Sequence, residues 1–190
     1  MWTLPAESNR SGYMRGMGGH ARAYRGETDV WLTPPDFLRT LGSFDLDPCA
    51  CDEPRPWATA ARHIVAAEDG LSQSWAGRVW LNPPYGAATG RWLARLADHG
   101  DGIALVFART DTAWFQEIAP RADALLFLSG RLTFHRASGR SANANAGAPS
   151  ALLAFGERNV NAIYAAGQDG FFAYPMRNAS LQLTMRMAGQ

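Results

Sequence analysis

Val79-Trp80-Leu81-Asn82-Pro83-Pro84-Tyr85-Gly86 reads as a short apolar strand that runs straight into a rigid loop. Three apolar side chains in a row suit a strand buried on both faces. Two consecutive prolines then end it, and because proline has no N–H the loop presents carbonyl oxygens rather than donors. The Asn82 side-chain oxygen and the Pro83 carbonyl can both accept from one NH₂ group, with Pro84 leading to the flat face of Tyr85. Such an arrangement answers a specific problem. The lone pair of an aromatic or amide NH₂ is delocalised, so the nitrogen is a poor nucleophile. Bonding both hydrogens favours a pyramidal nitrogen whose lone pair points out of plane, toward an electrophile held in line. Asparagine is neutral and cannot take the released proton, which leaves that task to water. The loop alone specifies a planar amine and nothing narrower.

Outward from this stretch, short apolar runs alternate with helix-like segments. Strands are predicted at 43–46, 63–67, 78–81, 102–108, 124–128 and 151–155, and helices at 35–41, 57–61, 89–96 and 111–119. Trp92, Leu93 and Leu96 make one apolar stripe that Gly100 ends, and Asp111 is placed to cap a turn carrying Trp114, Phe115 and Ile118. This alternation implies an α/β fold: a mostly parallel sheet with helices on both faces. Near the end the pattern changes. Residues 130–135 and 150–155 read as an antiparallel C-terminal strand pair joined by a Ser-, Asn-, Gly- and Ala-rich loop at 136–149, followed by a short helix at 160–166 and an extended stretch at 170–175. One domain accounts for 190 residues, so residues 29–190 are expected to form a single catalytic domain behind a flexible basic N-terminal arm at 1–28.

Hydrophobic residues at 47% and charged residues at 18% exclude a disordered chain. No run is long and apolar enough to span a membrane, and the N-terminus lacks a signal-peptide core, so a cytoplasmic location is expected. Cys49 and Cys51 are too close for an unstrained disulfide and, with a distant His63, do not match zinc-ligand spacing; no metal is expected. All 18 basic residues are arginine. Arg10, Arg15, Arg22 and Arg25 cluster in the arm, while Arg131, Arg136 and Arg140 occupy an acid-free stretch from Ala124 to Gly156. Arginine suits phosphate contacts and stacking on bases, so both stretches are candidate nucleic-acid contacts.

In an open α/β sheet, ligands bind beyond the carboxyl ends of the strands where strand order reverses. Two segments are placed there by the reading above: Asn82 to Tyr85, and Phe44-Asp45-Leu46-Asp47-Pro48, whose carboxylates suit a ribose or an ammonium group.

Asn-Pro-Pro-Tyr resembles the catalytic motif of amino methyltransferases that use S-adenosylmethionine, a Rossmann-like superfamily. The flanking text narrows the resemblance. Asp29-Val30-Trp31-Leu32-Thr33-Pro34-Pro35, Phe44 to Ala50, Glu68-Asp69-Gly70-Leu71, Val79 to Gly86, Arg109-Thr110-Asp111-Thr112, Gly130-Arg131-Leu132 and Pro149-Ser150-Ala151-Leu152 follow the order of the small phage-type DNA N6-adenine methyltransferases, the Dam-like family. What this implies is a methyl group passed from S-adenosylmethionine to the N6 amine of a flipped adenine in DNA. It gives Asn82, Pro83, Pro84 and Tyr85 the catalytic role. Asp47 and Pro48 take the place of the first cofactor motif, although Cys49-Ala50-Cys51-Asp52 stands where glycines are usual. Thr33 and Pro34 resemble the segment that approaches the methionine part, and Glu68 and Asp69 the acidic residues near the adenosine. Arg131, Arg136 and Arg140 are the expected DNA contacts, with no obligate protein partner. Two other readings share the loop: a protein-glutamine or RNA amino methyltransferase, and an inactive nucleic-acid-binding relative.

Overall fold

The structure is a computed structural model that describes residues 31–142 and 145–176. The expected arm at 1–28, with its four arginines, lies outside the described residues, as do Asp29 and Val30. Nine strands and four helices follow one another as β1 (Trp31–Leu32), α1 (Pro35–Thr40), β2 (Leu46–Ala50), β3 (Arg62–Val65), β4 (Val79–Leu81), α2 (Thr89–His99), β5 (Gly102–Phe107), α3 (Ala113–Ile118), β6 (Ala124–Leu128), β7 (His135–Arg136), β8 (Ser150–Phe155), α4 (Glu157–Ala165) and β9 (Gly170–Ala173) among the described residues.

Seven strands form one sheet in the order β3-β2-β4-β5-β8-β6-β9, and β1 pairs with β7 in a separate ribbon. Leaving β2, the chain steps outward to β3, then crosses back to lay β4 on the other side of β2 and β5 beyond it. Strand order therefore reverses between β2 and β4, which opens a crevice at their carboxyl ends.

Helices cover both faces, as side-chain alternation along the strands requires. On one face Leu46, Val79, Leu81, Ala104, Val106 and Leu153 pack under Trp92, Leu93 and Leu96 of α2 and Phe115 and Ile118 of α3. On the other, Trp80, Ile103, Leu105, Leu126 and Leu152 pack under Phe37 and Leu38 of α1 and Ile163 of α4. Each fully buried Leu or Ile contributes roughly 1.5–3 kcal/mol. Arg78 ties the second face together. Its guanidinium donates to Asn159 Oδ1 (2.6 Å), the Ser43 carbonyl (2.8 Å) and the Leu41 carbonyl (2.9 Å), and lies over the Phe44 ring. The Gly100 amide closes α2 on the Leu96 carbonyl at a φ of 76°, a left-handed turn that glycine adopts without strain.

Several expectations need correction. Residues 130–135 do not pair with β8; β8 lies between β5 and β6, antiparallel to both. Six consecutive buried residues need a partner on each edge, and the half-exposed 130–135 segment, opened by Gly130 at a φ of 74°, does not supply one. The sheet is consequently half parallel by pairing, since β2–β3, β2–β4 and β4–β5 are parallel and the other three pairings are antiparallel. Residues 57–61 form no helix, although Trp57-Ala58-Thr59-Ala60-Ala61 has helical composition. Tertiary hydrogen bonds win there: the Thr59 and Ala60 amides both point at His63 Nε2 (3.2 and 3.4 Å). β2 begins at Leu46 rather than Ser43, so Asp47 and Pro48 lie inside it; its register with β3 shifts after Asp47, where Pro48 has no N–H to donate. Thr112, not Asp111, is the residue before α3, and its hydroxyl donates to the Arg109 carbonyl instead of capping the helix.

Candidate active site

The crevice between β2 and β4 holds a cavity of about 280 Å³ lined by Trp31, Thr33, Asp47, Arg55, Trp57, Asn82 and Tyr85, among others. Its floor is the carboxyl end of β2. Asp47 is 4% exposed, and its carboxylate accepts from the Cys49 amide (2.9 Å) and the Thr59 hydroxyl (2.5 Å). Burial pushes its pKa from 3.8 up to about 6, against the opposing pull of these two hydrogen bonds and the Arg55 charge. The Thr59 hydroxyl is held in place because His63 Nε2 accepts from the backbone of the same turn. Burial, followed by the neighbouring Arg55, lowers the His63 pKa, which suits a neutral ring acting as acceptor. Burial likewise raises the thiols of Cys49 and Cys51. Among the described residues no three metal-ligating side chains converge.

The facing wall is the loop after β4. Asn82 Nδ2 donates to the Trp31 carbonyl at 3.0 Å. A carbonyl can only accept, so this contact fixes which end of the amide carries the NH₂. Asn82 Oδ1 is left buried with no partner, in a residue that lines the cavity. Trp31 is itself positioned by pairing of β1 with β7, where it faces Arg136. Pro83 is buried. The Pro84 carbonyl is taken by the Thr89 hydroxyl (2.8 Å), which in turn accepts from the Gly86 amide (3.1 Å). Tyr85 stacks on Phe107 at 4.2 Å with the rings 8° apart, and burial pushes its phenol pKa upward. One face of the ring is thereby occupied; Tyr85 nonetheless remains 38% exposed.

Six of the expected site residues line this cavity: Thr33, Asp47, Asn82, Pro83, Pro84 and Tyr85. The lining does not include Pro34, Pro48, Glu68 or Asp69. Pro34 precedes α1, and its carbonyl accepts from the Leu38 amide. Pro48 is buried behind the cavity, where its carbonyl sits so close to Gly70 that any Cβ there would lie 2.1 Å away. Glu68 accepts from the Val65 amide (2.9 Å), and Asp69 occupies a left-handed turn at a φ of 50°; both shape the turn after β3, from which Ala66 reaches the cavity.

Sequence reasoning missed Arg55, Trp57 and Thr59, all on the irregular segment between β2 and β3. It also missed Thr89 and Phe107, which support the loop after β4. Seven buried side-chain polar atoms lack a partner among the described residues, and four of them, Thr33 Oγ1, Arg55 Nε, Trp57 Nε1 and Asn82 Oδ1, belong to residues that line this one cavity. Unmet polar atoms are costly away from water and are uncommon in folded proteins. Their concentration in the residues of one cavity sets this wall apart from the rest of the described core.

Arg131, Arg136 and Arg140 ride on the excursion between β6 and β8. It folds back on itself, with the Arg136 amide donating to the Arg140 carbonyl (2.9 Å) and the Ala146 amide to the Leu132 carbonyl (2.8 Å). Its tip packs on the cavity wall: a Cβ on Gly139 would lie 2.9 Å from Pro56, and His135 meets the edge of Trp57 at 5.2 Å. Arg131 donates to the Ala146 carbonyl (3.0 Å).

A model of the DNA N-6-adenine-methyltransferase (Dam) family matches residues 21–169. The chain belongs to that family. No curated protein and no solved structure matches it. In this Dam-family chain the matched region spans both walls of the cavity and the arginine-bearing excursion beside it. No helix among the described residues is long and apolar enough to cross a membrane.

Proposed function

We propose that the chain transfers a methyl group from S-adenosylmethionine to the N6 amine of an adenine flipped out of DNA, with Asn82 as the acceptor that orients the amine. The observation that carries this reading is the buried, unpartnered Asn82 Oδ1, whose amide nitrogen is already committed to Trp31. An acceptor left without a partner just behind a cavity wall fits an NH₂ donor and rejects a carbonyl.

The cavity also fits the cofactor. Asp47, Thr33, Arg55 and Trp57 would hold it, since between them they supply one anion, one cation and three unmet polar atoms. When bound, S-adenosylmethionine supplies an electrophilic methyl group on a sulfonium. The chain's own residues do the rest by position. Asn82 draws on one amine hydrogen, the Pro83 carbonyl would take the other, and the open face of Tyr85 would stack the base. The nitrogen must shed one proton. An amide oxygen is too weak a base to keep it, so it leaves to water. Extruding the adenine loses stacking and pairing worth a few kcal/mol; phosphate contacts from Arg136 and Arg140 offset that loss.

The test is to incubate the purified chain with methyl-labelled cofactor and, separately, DNA, RNA and protein, then digest the labelled polymer. Label recovered as N6-methyl-2′-deoxyadenosine from DNA is the expected result. Label in RNA or in glutamine of protein, with none in DNA, overturns the reading. Label in none of the three makes the chain a binding relative rather than an enzyme.

A further inference from the structure

β4 and β5 run parallel, so the loops that leave them rise at the same rim of the sheet, the one that carries the cavity. The two loops are joined there. Tyr85, after β4, stacks on Phe107, the last residue of β5, at 4.2 Å. A Cβ on Gly90, in the first turn of α2, would lie 3.0 Å from Trp114 Cβ at the start of α3. Between Phe107 and Trp114 the backbone is pinned. The Arg109 amide donates to the Phe107 carbonyl (2.7 Å), the Thr112 amide (3.1 Å) and hydroxyl (2.7 Å) both donate to the Arg109 carbonyl, and Gln116 Nε2 donates to the Thr110 carbonyl (2.5 Å). The side chains of Arg109, Thr110 and Asp111 are nonetheless exposed. Elsewhere arginines are committed within the chain: Arg39, Arg121 and Arg158 meet carboxylates, and Arg62 and Arg95 donate to carbonyls. Arg91, Arg109 and Arg140 differ. They are exposed, and their side chains meet no hydrogen-bonding or ionic partner among the described residues.

We propose that Arg91 and Arg109 bind backbone phosphates of the DNA strand that carries the target adenine, on the Tyr85 side of the cavity mouth. This rests on the reading that the cavity takes a flipped adenine. A base stacked on Tyr85 brings its own sugar and phosphates out at the rim. Arg91 lies there in the helix that follows Tyr85, and Arg109 lies two residues beyond the ring that backs it. Arginine suits the contact, because its planar fork meets two phosphate oxygens at once. The pinned turn helps as well, since little beyond the Arg109 side chain has to be ordered on binding. Asp111, exposed two residues on, repels a phosphate and so bounds the patch on that side. Arg140 sits at the tip of the excursion, which packs on Pro56 between β2 and β3. The free arginines thus flank the extruded nucleotide from two sides, Arg140 by the wall after β2, and Arg91 and Arg109 by the loops after β4 and β5.

The experiment uses the full chain and a fluorescent duplex that the wild-type chain methylates, with affinity read by anisotropy across a salt series. Arg91→Ala with Arg109→Ala should reduce the slope of log affinity against log salt by about 2, one for each phosphate contact. Thermal melts should stay at the wild-type midpoint, because neither side chain bonds within the chain. Arg91→Lys with Arg109→Lys keeps both charges and should keep the slope. A second duplex carries neutral methylphosphonates in place of the phosphates on the 5′ and 3′ sides of the target adenosine. It should bind the wild-type chain more weakly than the parent duplex does, and bind the double alanine variant as well as the parent does, since the partners of those phosphates are already gone. An unchanged slope in the alanine variant overturns the assignment, as does equal weakening of both proteins by the neutral linkages. Loss of the slope in the lysine variant overturns it too, because charge is then not what these positions supply. Failure of the wild-type chain to methylate any duplex is a separate result, which overturns the adenine reading on which the patch depends.

Discussion

The side-chain amide of Asn82 is tied to the backbone of Trp31, 51 residues away, by a hydrogen bond of 3.0 Å that leaves Asn82 Oδ1 buried without a partner in a residue of the cavity lining. Asn82→Ala removes the acceptor but touches nothing on the Asp47 wall. Methyl transfer in a single turnover should fall about 10²–10³-fold, the usual loss when one preorganised polar group is deleted, while affinity for S-adenosylhomocysteine stays near wild type. A variant with near-normal turnover would sink the orienting role.

Asp47 makes the protein pH-sensitive in a direction that depends on the ligand. Its folded pKa of about 6 lies above the ordinary 3.8, so the folded chain holds the proton more tightly than the unfolded one. The stability this contributes without ligand is fully present below about pH 4 and lost as pH rises through 6. Asp47→Asn should therefore raise the stability of the ligand-free chain at pH 8 by roughly 3 kcal/mol, from about two pKa units, and abolish cofactor binding. Thermal melts against pH check the first effect. In the wild-type chain, cofactor affinity should decline as pH falls below about 6, because a protonated Asp47 no longer attracts an ammonium group.

How far these roles could be read in advance follows from where each residue sits. Asn82 and Asp47 were legible because each belongs to a short motif at the end of an apolar run, and the carboxyl ends of strands are where an α/β sheet binds ligands. Arg55 and Trp57 were not. Their segment carries no periodicity, and its helix-like composition at 57–61 is overridden by bonds to His63 and Asp47, partners that only the folded chain brings near. The same limit governs β8. Its apolar run was evident, yet its insertion between β5 and β6 depends on competition among strands that sequence order does not encode.

Thr89 is buried at 3% exposure and bridges the Pro84 carbonyl and the Gly86 amide. Thr89→Val keeps the shape and removes both bonds, leaving the Pro84 carbonyl and the Gly86 amide without these partners. Unfolding midpoints in denaturant should show a loss of about 1–3 kcal/mol, and turnover should drop with it as Tyr85 loses its fixed position. Thr89→Ser retains the hydroxyl and should restore most of both. Equal damage by the two variants would mean that packing, not the hydroxyl bridge, is what matters.

The three arginines of the excursion sit at different points along it. Arg131 donates through one terminal nitrogen to the Ala146 carbonyl, a bond that ties the two arms of the excursion together, Arg140 is exposed at the tip, and Arg136 begins the turn that leads there. If Arg136 and Arg140 each neutralise one phosphate, replacing both by alanine should weaken DNA binding and reduce the slope of log affinity against log salt by about 2. Arg131→Ala should instead lower thermal stability and change the slope by less. Fluorescence anisotropy of labelled duplex across a salt series measures both, and an unchanged slope in the double variant would remove this tip from the DNA interface. The same titration also speaks to the cavity. Gly139 at the tip packs on Pro56, beside Trp57, so phosphate contacts made there would bear directly on the wall that carries Arg55.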